Sequence, residues 1–262
     1  MRPTAYAVSM AVPVRRVLDM IRSEILREQS FDPLKTERVF SLSMSDIGEL
    51  ILLPRILDAL REEAPRASVR CISMRPGELK EAMADGTVDL AVGYFPDLSE
   101  ASHYQQKLFI HPFCCVVRRD HPTIGGSLTL DQFLAAEHAV VAAEGRSQEI
   151  FERLMLDLGL QRRVLLRSPH FMSLPFLIAN SDMISIVPRA VGQLAARTAQ
   201  VRAIQPPIDI PAIELKQFWH RRANNDLPVT WIRNLITRLF LNRDPSADSA
   251  SPLFGKTPDL LS

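Results

Sequence analysis

The sequence predicts an α/β fold made of two similar halves preceded by a separate helix, and three observations lead there. From Arg38 onward, short β-branched and aliphatic runs alternate with helical patterns, the signature of βαβ units around a parallel sheet. The same grammar starts afresh after the third strand. Ahead of it, Ala7, Ala11, Val14, Leu18, Ile21 and Ile25 recur at alternating gaps of four and three, the seam of a coiled-coil helix.

Composition bounds the function. With 262 residues, 31 Lys+Arg against 30 Asp+Glu and a net charge of +1, the chain has no global attraction for nucleic acid or an anionic membrane. Cys71, Cys114 and Cys115 offer neither a disulfide framework nor a C-x-x-C zinc spacing, which points to a reducing compartment. No run approaches the roughly 18 apolar residues of a membrane span, and the first residues lack an export signal. The expected location is cytoplasmic, with no membrane partner.

Element by element, Pro13 interrupts the N-terminal seam, so the helix is expected from Pro13 to Glu28. Its narrow stripe suits packing on the body of the chain or on a second copy, and the turn-rich SFDPLKTE that follows favours the copy. VFSLSM reads as a strand. SDIGELILLPRILDALREEAP reads as a helix with Ile47, Leu50, Leu53, Leu57 and Leu60 in register, Asp46 as its cap and Pro65 as its stop. The strand SVRCISM, a short helix around Leu79 and Met83, and the strand VDLAVGYF complete the first half. In the second, KLFIHPFCCVVRR is one long extended stretch, followed by TLDQFLA, HAVVAA, EGRSQEIFERLMLDLGL, VLLRS, PHFMSLPFLIAN, MISIVP, PRAVGQLAAR, VRAIQ and IELKQFWHR. A closing helix, DLPVTWIRNLITRLF, is followed by a polar tail rich in Pro and Ser.

Motifs exclude more than they assign. With ten glycines, the chain contains neither G-x-G-x-x-G nor a Walker loop, so no nucleotide cofactor is implied. His103, His111, His121, His138, His170 and His220 show no metal-binding spacing, and no G-x-S-x-G elbow or other catalytic set is recognisable. What remains is a set of polar residues at strand-to-helix junctions: Ser43, Ser45 and Asp46, then Tyr94, then Arg146 and Ser147, then His170. Ligands of open α/β sheets bind outside the carboxyl ends of the strands, where free helix N–H groups favour an anion. Capping and local hydrogen bonding account equally well for any one of them. Phe95, Phe171, Phe176 and Trp219 are aromatic candidates for a flat, largely apolar ligand.

These residues carry a resemblance. PTAYAVSMAVPV, RVFSLSMSDIGELILLPRIL, GTVDLAVGYFPDL, VRRDHP, RSPHFMSLPFLIANSDMISIVP and FWHRR with LPVTWIRNLI, in that order, resemble LysR-type transcriptional regulators up to about Leu241. They are most similar to the branch of salicylate-, nitroaromatic- and nodulation-responsive regulators. The resemblance implies two Rossmann-like subdomains joined by two crossover strands, as in periplasmic binding proteins, behind a long linker helix used for dimerisation. Expected boundaries are 1–30 for that helix, 36–114 with 221–243 for subdomain I, 115–220 for subdomain II and 244–262 for a disordered tail.

The family's effector site maps onto Ser43, Ser45, Tyr94, Phe95, Arg146, Ser147, His170, Phe171 and Pro188. Ser45, Arg146 and His170 are expected to anchor a carboxylate or hydroxyl, with Phe95 and Phe171 against an aromatic ring. Where relatives have a Gly-His-Gly-like loop this chain has GRSQ, so Arg146 offers a bidentate partner instead of an imidazole. The implied partners are a small aromatic acid as inducer and a second copy in a dimer or tetramer, or a full-length relative. The family's helix-turn-helix is not found in this sequence, so DNA contact is expected only through a segment ahead of it. Two rival readings share the two-lobed plan: a periplasmic-type solute receptor, which calls for an export signal, and an enzyme working in the cleft, which calls for paired catalytic groups.

Overall fold

The structure is a computed structural model that describes residues 4–20, 31–99, 101–142 and 147–247. Residues 1–32 and 33–262 are separate compact units. In the first, helix α1 (Ala5–Met20) begins well before Pro13 and runs through it. The proline removes one rung, at the Ser9 carbonyl, without ending the helix, so the expected start at Pro13 is corrected to Ala5. The expected continuation to Glu28 lies outside the described residues.

The second unit has two lobes. In the first, β1 (Val39–Ser43), α2 (Asp46–Glu63), β2 (Ser68–Ile72), α3 (Pro76–Asp85) and β3 (Leu90–Gly93) form a parallel core, with β1 between β2 and β3. β4 (His103–His111) and β10 (Ile213–His220) complete a five-stranded sheet of order β2-β1-β3-β10-β4, and β10 runs antiparallel to both its neighbours. The second lobe holds β5 (Phe113–Arg118), α4 (Leu130–Ala135), β6 (Glu137–Val141), α5 (Gln148–Asp157), β7 (Arg163–Ser168), α6 (Leu174–Ala179), β8 (Ser185–Pro188), α7 (Arg189–Thr198) and β9 (Val201–Ile204). Its antiparallel trio β8-β5-β9 joins the parallel pair β6-β7 through a bridge between His138 and Ile184. Helix α8 (Leu227–Phe240) returns to pack on α2.

The expected fold class holds, and three of its details change. The single extended stretch over 107–119 is two strands: Pro112, which has no N–H for a ladder, separates β4 in one sheet from β5 in the other. Residues 213–220, placed by the expected boundaries in subdomain II, pair along their length with β3 and β4 in the first sheet. The start of the expected tail is ordered: Asp244 accepts hydrogen bonds from Arg189 Nη2 and from the amide and hydroxyl of Ser246, and Pro245 and Ser246 are buried. Residues 248–262 lie outside the described ones.

Each lobe has its own apolar interior. Phe40, Leu42, Leu52, Ile56 and Ile232 are fully buried in the first, where Phe95 meets Phe218 edge to face at 6.0 Å. Trp219 lies under the Arg233 guanidinium at 4.3 Å and donates to Asn224, while Trp231 lies 5.7 Å from Phe40. In the second lobe, Phe133 and Phe151 pack edge to face and α7 sits close on the sheet. A Cβ on Gly192 would collide with Cys114 Sγ and crowd Ala203 at 3.2 Å. Burial pushes the Cys114 thiol up to about 12 and raises Cys115 further, so both remain protonated, apolar packing groups.

Two outcomes follow for stability. Gly192→Ala forces α7 away from β5 and is expected to cost about 1–3 kcal/mol in denaturant unfolding. His138 is buried, donates from Nε2 to the Phe133 carbonyl at 2.8 Å, and burial lowers its pKa from 6.5 to about 4. The unfolded chain therefore binds the proton first, and stability falls as pH drops from 6.5 to about 4. The slope reaches at most about 1.4 kcal/mol per pH unit. His138→Gln should flatten the urea-midpoint profile across that window while lowering its plateau.

Candidate functional site

The carboxyl ends of β1 and β3 face the segments that precede α5, α6 and α7 across a crevice between the lobes. Its inner part is a cavity of about 40 Å³ to which Ser45, Tyr94, Phe95, Ser147, Phe171 and Pro188 contribute. Ile47, Gly48 and Ile51 of α2, Gly93 of β3, His111 of β4, and Ile213 and Leu215 of β10 complete the wall. The outer part is an open groove of about 540 Å³ bordered by Ser45, Asp46, Arg75, Glu78, His170 and Phe171. Ser45 and Phe171 belong to both chambers.

Local folding places these groups. Ser45 has extended backbone angles and its hydroxyl accepts from the Gly48 amide at 3.3 Å, so it is the α2 cap in place of the expected Asp46. Asp46 occupies the first helical position, and its carboxylate takes the Ile47 amide and, from the other lobe, the amides of Phe171 and Met172. Burial and then the Asp46 charge raise the pKa of Glu49 one turn along. Gly93 has φ +151°, and a Cβ there would stand 3.2 Å from the Phe95 ring, so glycine lets the chain turn Phe95 into the wall. Burial, reinforced by Glu149 and partly offset by Arg153, raises the pKa of Tyr94, which keeps its phenol protonated and able to donate.

His111 closes the back of the crevice. Its Nε2 accepts the Ala190 amide at 3.1 Å, which leaves the proton on Nδ1, pointing to Asp244 Oδ2 at 2.9 Å. Burial alone would raise the Asp244 pKa, but the bonds from His111 and Ser246 outweigh it and hold the carboxyl below its usual range. Both ring nitrogens are thus committed, and His111 offers the cavity only its face.

Of the residues singled out from sequence, Ser45, Tyr94, Phe95, Ser147, Phe171 and Pro188 converge on the inner cavity. His170 lies exposed at the outer groove, with its backbone tied to Ser168 and Ser173. Ser43 is buried beneath the crevice wall and is not part of its lining. Arg146 lies outside the described residues. Phe176 is exposed on α6 and Trp219 is held under Arg233, so neither aromatic serves the crevice. Sequence reasoning passed over Ile213, Leu215 and His111. The alternation of β10 signals that the first two share a face, whereas nothing local marks His111.

Among the described residues, no group of three or more His, Cys, Asp or Glu could hold a metal ion, and no helix is long and apolar enough to cross a membrane. The geometry defines a two-lobed binding domain whose crevice is lined by apolar side chains and a few hydroxyls. Comparison with known proteins agrees: the profile of the LysR substrate binding domain matches residues 35–240. The chain belongs to that family. It is 33% identical over 240 residues to the HTH-type transcriptional activator NahR of Pseudomonas putida, covering 92% of this chain and 80% of that one. The HTH-type transcriptional regulator LinR of Sphingobium indicum is 33% identical over 246 residues, covering 93% and 80%. Among solved structures, a probable transcriptional regulator of Pseudomonas aeruginosa superposes with a TM-score of 0.73 at 27% identity, covering 92% of this chain and 80% of that one.

Removing the Ser45 hydroxyl leaves the Gly48 amide without its partner. Ser45→Ala should cost about 1 kcal/mol in thermal or urea unfolding.

Proposed function

We propose that this chain is the effector-sensing part of a LysR-type transcriptional regulator and that its effector is a small aromatic acid bound in the interlobe crevice. One observation carries the reading: six candidate residues from five separate segments of sequence meet on one cavity at the carboxyl ends of the strands. Tyr94, Phe95 and Phe171 supply aromatic surface, and Ser45, Ser147 and the Tyr94 phenol supply hydroxyl donors for a carboxylate or ring hydroxyl. His170, at the outer groove, is assigned with Arg146 to anchoring the acid's carboxylate or hydroxyl, with Pro188 against the ring edge and Ser43 supporting the floor.

Signalling then requires that the ligand favour one arrangement of the lobes over another. The domain acts without catalysis, in the cytoplasm. Helix α1, whose Met10, Val14 and Leu18 are exposed, provides a surface for a second copy, and DNA is a partner only where a helix-turn-helix accompanies this domain.

Isothermal calorimetry with benzoate, salicylate and phthalate is the direct test. The expected result is saturable heat from at least one acid, weakened about tenfold by combined loss of the Ser45 and Ser147 hydroxyls. No heat from any acid, with a cooperative melt showing the fold intact, would overturn the proposal.

A further inference from the structure

Resting on that reading of the crevice, we propose that Asp46 is a latch that keeps the ligand-free crevice shut and that the Phe171 ring is the bar it holds in place. Phe171 is 2% exposed and, with Ser45, lines both chambers, so it stands where the two meet. The inner chamber, at about 40 Å³, is far below the roughly 150 Å³ of a cavity that accepts benzene. An aromatic ring therefore fits only when the lining shifts, and Phe171 is the aromatic part of that lining shared with the outer groove.

What resists the movement is a contact between residues 125 positions apart in sequence. Asp46 Oδ2 accepts the Phe171 amide at 3.0 Å and the Met172 amide at 3.2 Å, while Oδ1 accepts the Ile47 amide at 2.9 Å. Three N–H donors converge on two oxygens, and only a carboxylate presents acceptors on both. An asparagine would have to turn its NH₂ toward a donor on one side or the other. The bonds are charge-assisted and anchor the first turn of α2, in one lobe, to the loop that carries Phe171, in the other. Other charged groups at this groove are Arg75 and Glu78, with Glu49 one turn along α2. The latch thus stabilises the closed state, and an effector binds against it.

The test combines amide hydrogen exchange on the ligand-free protein with calorimetry, using wild type and Asp46→Asn. The latch predicts that the Phe171 and Met172 amides exchange at least tenfold faster in D46N. It also predicts that D46N binds salicylate about tenfold more tightly, because opening costs less. The affinity gain should persist in about 0.5 M salt, where simple repulsion between carboxylates is screened. Equal exchange in the two proteins, weaker binding by D46N, or a gain that vanishes in salt would each overturn the proposal. Should D46N not fold, exchange of the two wild-type amides decides alone: unprotected rates refute the latch, and slow ones support it. Faster exchange in D46N with no acid bound by either protein would support the latch and overturn the effector reading only.

Discussion

A chain that passes from one sheet to another leaves both hydrogen-bond ladders at the crossing, and its buried polar groups need other partners. That constraint is met at Pro112. The carbonyl of Pro112 accepts the Arg189 amide, and the ring of the preceding residue, His111, accepts the Ala190 amide, so the first two of the free donors at the start of α7 are spent on the crossing. His111 donates its Nδ1–H to Asp244, which also accepts from Arg189 and Ser246. The end of β4, the start of α7 and the segment beyond α8 are thereby fixed to one another. The back wall of the crevice, with Pro188 on one side and Ile213 on the other, is built on that junction.

From this fixed back the crevice opens toward contacts of a different kind. The back is held by groups whose hydrogen-bonding capacity is used up, whereas the front is held by the carboxylate of Asp46 against two backbone amides. The two edges of the crevice are thus joined differently: the back by three linked segments, the front by one side chain on two backbone amides. The loop that carries Phe171 leads directly into α6, which packs on the β5 and β9 strands of the second lobe.

Much of this was legible in the residues. The period-two and helical patterns between Arg38 and Phe240 placed nearly every element, and the rule that ligands sit at strand carboxyl ends brought out Ser45, Tyr94 and Ser147. What escaped depends on pairings between distant segments. Nothing local says that Ile213–His220 pairs with β3 and β4, that His111 and Asp244 meet across 133 positions, or that Asp46 gives up capping for a contact across the crevice. Ser45 and Asp46 are both good caps, and only the geometry of the other lobe decides between them. Trp219 and Phe176 looked like ligand contacts because aromatic residues carry the same pattern whether they pack on a guanidinium, face solvent or line a cavity.

Both tryptophans of the chain sit in the first lobe, one beneath Arg233 and the other beside Phe40, and neither lines the crevice. Intrinsic emission from this protein is therefore a report on one half of it. Loss of signal on heating marks the melting of that half, and the optical record stays quiet while the other half shifts. A tryptophan introduced in the second lobe would give the silent half a voice of its own.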